Sequence, residues 1–169
     1  MALPIILVLA VIVRLDSPGP ALFRQVRLGR YERPFVCLKL RTMAQGTPSA
    51  GTHEVSSAAV TSIGRTLRRL KLDELPQLWN VLVGEMSLVG PRPGLPTQAE
   101  LAQQRRLRGV FNARPGVTGP GQVNDIDMST PVALAEMDAT YALRPTLGAY
   151  IRYVVATALG KGQGDRVRG

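Results

Sequence analysis

The stretch from Lys71 to Pro93, Lys-Leu-Asp-Glu-Leu-Pro-Gln-Leu-Trp-Asn-Val-Leu-Val-Gly-Glu-Met-Ser-Leu-Val-Gly-Pro-Arg-Pro, constrains this chain more than any other. It sets two adjacent carboxylates, Asp73 and Glu74, at the mouth of a short apolar helix expected over residues 75–83. It ends where Pro91 and Pro93 fix φ on either side of Arg92 and hold that arginine in a stiff extended turn. An acid pair, a helix and a rigid arginine can face carboxylates with a guanidinium. The same residues also suit plain helix capping: Asp73 as N-cap, with Glu74 and Pro76 in a first turn that favours acids and proline.

A chain of 169 residues fits one domain with a modest core. Its 21 basic residues outnumber 12 acidic ones, for a net charge of +9, and lysine occurs only at Lys39, Lys71 and Lys161. An arginine-rich excess points to an anionic partner, because the planar fork binds phosphate through two hydrogen bonds. Nucleic acid, an anionic membrane face and a nucleotide diphosphate all meet that description. Cys37 and His53 are each single, so no disulfide forms within the chain and no cysteine–histidine cluster has zinc spacing. Cys37, in an apolar strand, reads as a small buried hydrophobe.

Residues 2–13 form an unbroken apolar run closed by Arg14. As a helix they rise only about 18 Å, short of the roughly 20 apolar residues that a full span needs. A buried core helix and one half of a membrane dip, entered near Pro4, both remain open. After the hard turn Ser17-Pro-Gly-Pro20, residues 21–41 read as a hairpin. Val36, Leu38 and Leu40 alternate with Phe35, Cys37, Lys39 and Arg41, so Lys39 and Arg41 share a face. Residues 44–57 read as a mobile loop. Thr61 or Ser62 can cap a helix to Leu70, with Ile63, Leu67 and Leu70 inward and Arg65, Arg68 and Arg69 on the remaining surface. A helix over 96–111 places Leu101, Leu107 and Phe111 inward and Arg105, Arg106 and Arg108 outward. The segment Arg114-Pro-Gly-Val-Thr-Gly-Pro-Gly121 is either a phosphate-binding run of backbone N–H groups or a tight turn. Helical spacing resumes from Pro131 and carries Leu134, Met137 and Tyr141, then Ala149, Tyr153 and Ala156, with Arg144-Pro145 interrupting. Tyr150, Arg152 and Tyr153 form an aromatic and basic group of the kind found at membrane interfaces.

Taken in order, these stretches resemble one family. Ser17-Pro-Gly-Pro20, Phe23-Arg-Gln-Val-Arg-Leu-Gly29, Lys39-Leu-Arg-Thr-Met43, Leu72-Asp-Glu-Leu-Pro-Gln-Leu-Trp-Asn-Val-Leu82, Met86-Ser-Leu-Val-Gly-Pro-Arg-Pro93 and Arg114-Pro-Gly-Val-Thr-Gly119 are similar to the bacterial sugar transferases, monotopic phosphoglycosyl transferases. The resemblance implies an α+β fold: a mostly helical single domain with a small β-hairpin and an N-terminal re-entrant or interfacial membrane helix. Residues 1–15 would be the remnant of that helix, 16–162 the catalytic domain and 163–169 a flexible tail. It implies transfer of a sugar-1-phosphate from a UDP-sugar to polyprenyl phosphate, with release of UMP, at the cytoplasmic face of the bacterial inner membrane. Asp73 and Glu74 would be the catalytic dyad, Asp73 the nucleophile, and both would hold Mg²⁺. Lys39, Arg41, Arg68, Arg92 and Arg114 would surround the substrate phosphates. One departure is local: Ser57-Ala-Ala-Val-Thr61 stands where relatives often carry an aspartate and an arginine.

Two other classes fit the charge. A nucleic-acid-binding module is opposed by an aromatic content of only 5% and by the lack of a readout motif. A non-catalytic membrane-surface adaptor would also explain the apolar start and the basic helices.

Overall fold

The computed structural model of the chain describes residues 2–47 and 57–162. His53, most of the 44–57 loop and the 163–169 tail lie outside the described residues. The described residues form an α+β, mostly helical fold with two small two-stranded sheets. Among the described residues no helix is long and apolar enough to cross a membrane. The residues fall into two compact units, one drawn from Met1–Gln25 and Cys37–Trp79, the other from Val26–Val36 and Asn80–Gln163. The hairpin strands β1 (Leu22–Leu28) and β2 (Pro34–Leu40) contribute to both.

In the first unit, α1 (Ala2–Asp16) covers the apolar run and continues past it. Pro4 sits in the first turn, where its missing N–H would have no partner in any case. Only Val13 is buried, while Leu3, Ile5, Leu7, Val8, Val11, Ile12 and Leu15 are exposed. Helix α2 (Ser62–Arg69) starts at the expected cap, since Thr61 Oγ1 accepts from Gly64 N at 3.0 Å. Val13, Leu40 and Leu67 form the core of this unit, with Leu9, Ala10, Ile63 and Leu72 packed against them. Leu70 departs from expectation: it follows the last helical residue and is exposed.

The strand β2 also shifts phase. Phe35 and Cys37 are buried and Val36 is exposed, so the inward face is the one that sequence alternation assigns to Lys39 and Arg41. Beyond Cys37 the alternation lapses, and Leu40, Arg41 and Thr42 are buried in succession.

The second unit contains α4 (Ala99–Leu107), α6 (Pro131–Ala142) and α7 (Leu147–Ala158), with short parallel strands β3 (Ser87–Val89) and β4 (Gly116–Thr118) in register Ser87 to Gly116 and Val89 to Thr118. A single turn, α5 (Pro120–Val123), follows β4, and α3 (Gln77–Leu82) joins the two units. Val89, Tyr141 and Tyr153 form a core, the two tyrosine rings meeting edge to face at 5.7 Å. Arg152 lies over the Tyr153 ring at 5.0 Å. The expected helix over 96–111 is shorter: Gly109 takes φ +67 after α4, which leaves Leu107 exposed.

Arg105 corrects the reading of an outward basic stripe. It is 3% exposed and donates Nε and Nη2 to Asp138 Oδ2 at 3.0 and 2.5 Å. Burial pushes the Asp138 carboxyl above its usual range, opposed by the charge of Arg105. Arg106 and Arg108 do face outward, paired with Glu32 and Glu136. Replacing Asp138 with Ala leaves a buried guanidinium without its carboxylate and should destabilise by about 3–5 kcal/mol in denaturant titration, whereas the double change Arg105→Met with Asp138→Leu should recover most of that loss.

Candidate active site

The acid pair is built into a sharp junction of the first unit. After α2 the chain reverses at Lys71, whose φ of +56 is a left-handed conformation that costs strain in a residue with a side chain. A 3-10 turn, Leu72–Glu74, follows, closed by Glu74 N and Leu75 N donating to Lys71 O and Leu72 O at 3.3 Å each. Asp73 therefore lies inside this turn, and the residue before α3 is Pro76. The N-cap position of the turn belongs to Lys71. Asp73 and Glu74 are both buried, at 6% and 8% exposure.

Two adjacent buried carboxylates need compensating charge. Lys39 supplies some: its Nζ donates to Glu74 Oε1 at 3.2 Å, with both side chains largely enclosed. Arg68 is half-buried on α2 and donates Nε to Thr42 Oγ1 at 2.8 Å. Gly64 permits this closeness, because a Cβ there would stand 2.2 Å from Thr42 O. Lys39, Arg68, Asp73 and Glu74 thus share one unit. Arg41 shares it too, but its guanidinium points to the carbonyls of residues 13–20.

Arg92 and Arg114 lie in the second unit, on neighbouring segments. Gly90 N donates to Thr118 O and Gly116 N to Pro91 O, each at 2.9 Å. A Cβ on Gly116 would sit 2.1 Å from Gly90 N, and one on Gly119 would sit 1.9 Å from Gly90 O. Gly116 and Gly119 therefore serve backbone-to-backbone packing, Gly121 makes room for the Leu134 side chain, and the Gly116 amide is already used. Arg92 is half-buried between buried Pro91 and Pro93, and Arg114 is exposed.

Sequence reasoning missed two residues that hold this region. Arg27, buried in β1, donates Nη1 to Pro93 O at 2.9 Å, beside the bond from Leu28 N to Gly94 O. Asn80, 2% exposed, donates Nδ2 to Val36 O and Glu85 Oε2 at 2.8 and 2.7 Å, and its backbone carbonyl accepts from Glu85 N and Met86 N. An asparagine inside the apolar run Leu-Trp-Asn-Val-Leu was the available signal, since a buried amide must be satisfied.

Asp73 and Glu74 also offer a donor set for a divalent cation. Among the described residues no group of three or more histidine, cysteine or acidic side chains could hold a metal. Two carboxylates still fit Mg²⁺, which binds through one or two carboxylates plus substrate phosphates.

A family profile described as bacterial sugar transferase matches residues 1–161. The chain is 39% identical over 160 residues to a protein of Caulobacter vibrioides named UDP-glucose:undecaprenyl-phosphate glucose-1-phosphate transferase, covering 92% of this chain and 57% of that one. It is 39% identical over 124 residues to a UDP-N-acetylgalactosamine-undecaprenyl-phosphate N-acetylgalactosaminephosphotransferase of Aeromonas hydrophila, covering 71% of this chain and 29% of the relative. It is also 40% identical over 127 residues to an Escherichia coli protein with the same name as the Caulobacter one, covering 72% and 27%. The chain thus spans between about a quarter and three fifths of the length of these relatives.

Because Gly116 packs backbone on backbone, Gly116→Ala should lower stability by about 1–3 kcal/mol, the usual effect of overpacking. Thermal or denaturant unfolding checks this; an unchanged midpoint would mean that the β3–β4 contact is looser than described.

Proposed function

Since the chain belongs to the bacterial sugar transferase family, we propose that it transfers a sugar-1-phosphate from a UDP-sugar to polyprenyl phosphate and releases UMP, working at the cytoplasmic face of the inner membrane. The observation that carries this reading is the buried Asp73–Glu74 pair, held in a strained turn with Lys39 against Glu74. The names of the relatives support the substrate classes, a UDP-sugar and undecaprenyl phosphate. The exposed apolar surface of α1 supports a membrane setting.

Phosphoryl transfer asks a protein for position and charge stabilisation. In the first half-reaction a carboxylate oxygen of Asp73 attacks the phosphorus bonded to the sugar. The bond from that phosphorus to the bridging oxygen breaks, and its electron pair leaves with UMP. Asp73 then carries the phosphosugar as an acyl phosphate. In the second, a phosphate oxygen of the lipid attacks the same phosphorus and the bond to Asp73 breaks, which restores the carboxylate. One phosphoanhydride replaces another, so no further energy source enters. Lys39 compensates the charge of Glu74, next to the attacking Asp73. Asp73 and Glu74 would hold Mg²⁺, which when bound neutralises part of the diphosphate charge. Arg68, in the first unit, and Arg92 and Arg114, in the second, are the proposed phosphate ligands.

UMP release from UDP-sugars with polyprenyl phosphate should show ping-pong kinetics. Asp73→Asn should give a folded protein without turnover, and Glu74→Gln a weaker one. An active Asp73→Asn protein would end the covalent mechanism, and no UMP release from any UDP-sugar would end the transferase reading.

Arg92→Ala and Arg114→Ala should each remove at least about 2–3 kcal/mol of transition-state stabilisation, as for a preorganised donor, read as a fall in kcat/KM. Lysine at either position should rescue in part, since it lacks the fork. Unchanged kcat/KM in both alanine variants would mean that these arginines are structural.

A further inference from the structure

Arg41 lies just beyond the end of β2, on the strand that carries Lys39, and is 7% exposed. Nε donates to Pro20 O at 2.8 Å, Nη1 to Ser17 Oγ at 2.7 Å and Nη2 to Ser17 O at 2.8 Å. Longer contacts of 3.4 Å join Nη2 to Val13 O and Gly19 O. Its backbone N–H donates to Ala21 O at 2.8 Å. These acceptors belong to the last turn of α1 and to the turn that follows it. Val13 O also accepts from Ser17 N at 3.3 Å, so the shorter bonds of Arg41 grip the turn after the helix, where its charge faces the negative end of the helix dipole. The turn itself is stiff: Pro18 and Pro20 flank Gly19 at φ +111, where a Cβ would stand 2.7 Å from Gln45 Oε1.

The neighbours of Arg41 connect this clamp to the acid pair. Lys39, two residues earlier, pairs with Glu74. Thr42, the next residue, takes Arg68 Nε on its hydroxyl and Thr61 N on its carbonyl, at 2.8 and 3.0 Å. One short piece of chain therefore grips the acid turn, α2 and the end of α1, all within the first unit. Outside its contact around Val13, α1 presents mainly apolar side chains with no partner in the described chain. A buried guanidinium with most of its directions taken by carbonyls and a hydroxyl is poorly placed to bind a substrate phosphate as well.

We propose that Arg41 is a positioning residue. It fixes the direction in which α1 leaves the unit and so holds the acid pair at a set height above the lipid surface that α1 enters. Its effect falls on capture of the long-chain lipid acceptor and leaves the nucleotide-sugar half-reaction intact. This deepens the transferase reading and rests on it.

Two measurements on the full chain test the proposal. Spin labels at Val8→Cys on α1 and Arg69→Cys on α2, with buried Cys37 changed to Ser, report the α1–α2 distance in anionic vesicles. The distribution should be narrow with Arg41 present and should broaden in Arg41→Gln; an unchanged distribution overturns the clamp. Kinetics supply the second readout. With UDP-sugar alone, the UMP burst and the KM for UDP-sugar should be unchanged in Arg41→Gln, while kcat/KM for undecaprenyl phosphate in vesicles falls about ten- to a hundredfold, the scale expected from misplacing reacting groups. A short, water-soluble prenyl phosphate should be used as well as before. A parallel rise in the KM for UDP-sugar would make Arg41 a phosphate ligand, and equal losses with both acceptors would make it a general support of the fold; either overturns the proposal. Should Arg41→Gln fail to fold, Ser17→Ala removes one bond and should show the same selectivity for the long-chain acceptor on a smaller scale, and equal losses there overturn it too. A wild-type chain without UMP release would refute the transferase reading, and the spin-label distances would still decide the clamp.

Discussion

Two carboxylates side by side, both withdrawn from water, are the constraint around which the first unit is built. Each buried charge carries a penalty of several kcal/mol unless it is paired and hydrogen-bonded. Lys39, at the end of a strand, meets part of that demand by pairing with Glu74, while Arg68 is anchored on Thr42 and the left-handed Lys71 turns the backbone into the acid turn. The hydrophobic contacts of Val13, Leu40 and Leu67 hold these pieces together. Strain at Lys71 is stored immediately before the acid pair, the kind of place where strained backbone clusters at functional sites.

The second unit restricts the backbone around Arg92. Proline on both sides of Arg92 restricts the backbone, and Arg27 fixes the carbonyl of Pro93. The glycines at 90, 116 and 119 allow two segments to touch without side chains between them. A preorganised guanidinium loses little freedom when it meets a phosphate, which is the economy expected of electrostatic catalysis. The α1 helix shows the reverse economy. It leaves a run of apolar side chains exposed, and Arg41 behind them is turned inward onto the chain.

Much of this was legible in the sequence, and the exceptions have a common cause. The Thr61 cap, the apolar first helix, the hairpin and the α6 and α7 helices follow from local spacing and local hydrogen-bonding chemistry. Arg105 read as surface charge and Arg41 as a residue near the substrate phosphates, because nothing nearby in sequence predicts their burial. Their partners lie at residues 13–20 and at Asp138, and only the fold brings those acceptors close. Leu70 and Leu107 read as core by helical period, yet each helix stops short, at a left-handed Lys71 and a left-handed Gly109. The glycine-rich segment after Arg114 could have been an anion nest; tight contact with Gly90 decides for packing. In the candidate site the identity of the acids was visible in the sequence, while the pairing of Lys39 with Glu74 depended on a strand 35 residues away.

The central claim is that Asp73 becomes covalently bonded to a phosphosugar. Incubating the purified protein with UDP-sugar and Mg²⁺ without lipid, quenching, and mapping the modified peptide by mass spectrometry tests it most directly. The account predicts one sugar phosphate per chain, localised to Asp73 and discharged on adding polyprenyl phosphate. UMP production that requires the lipid and leaves Asp73 unmodified, even on rapid quenching, would contradict it.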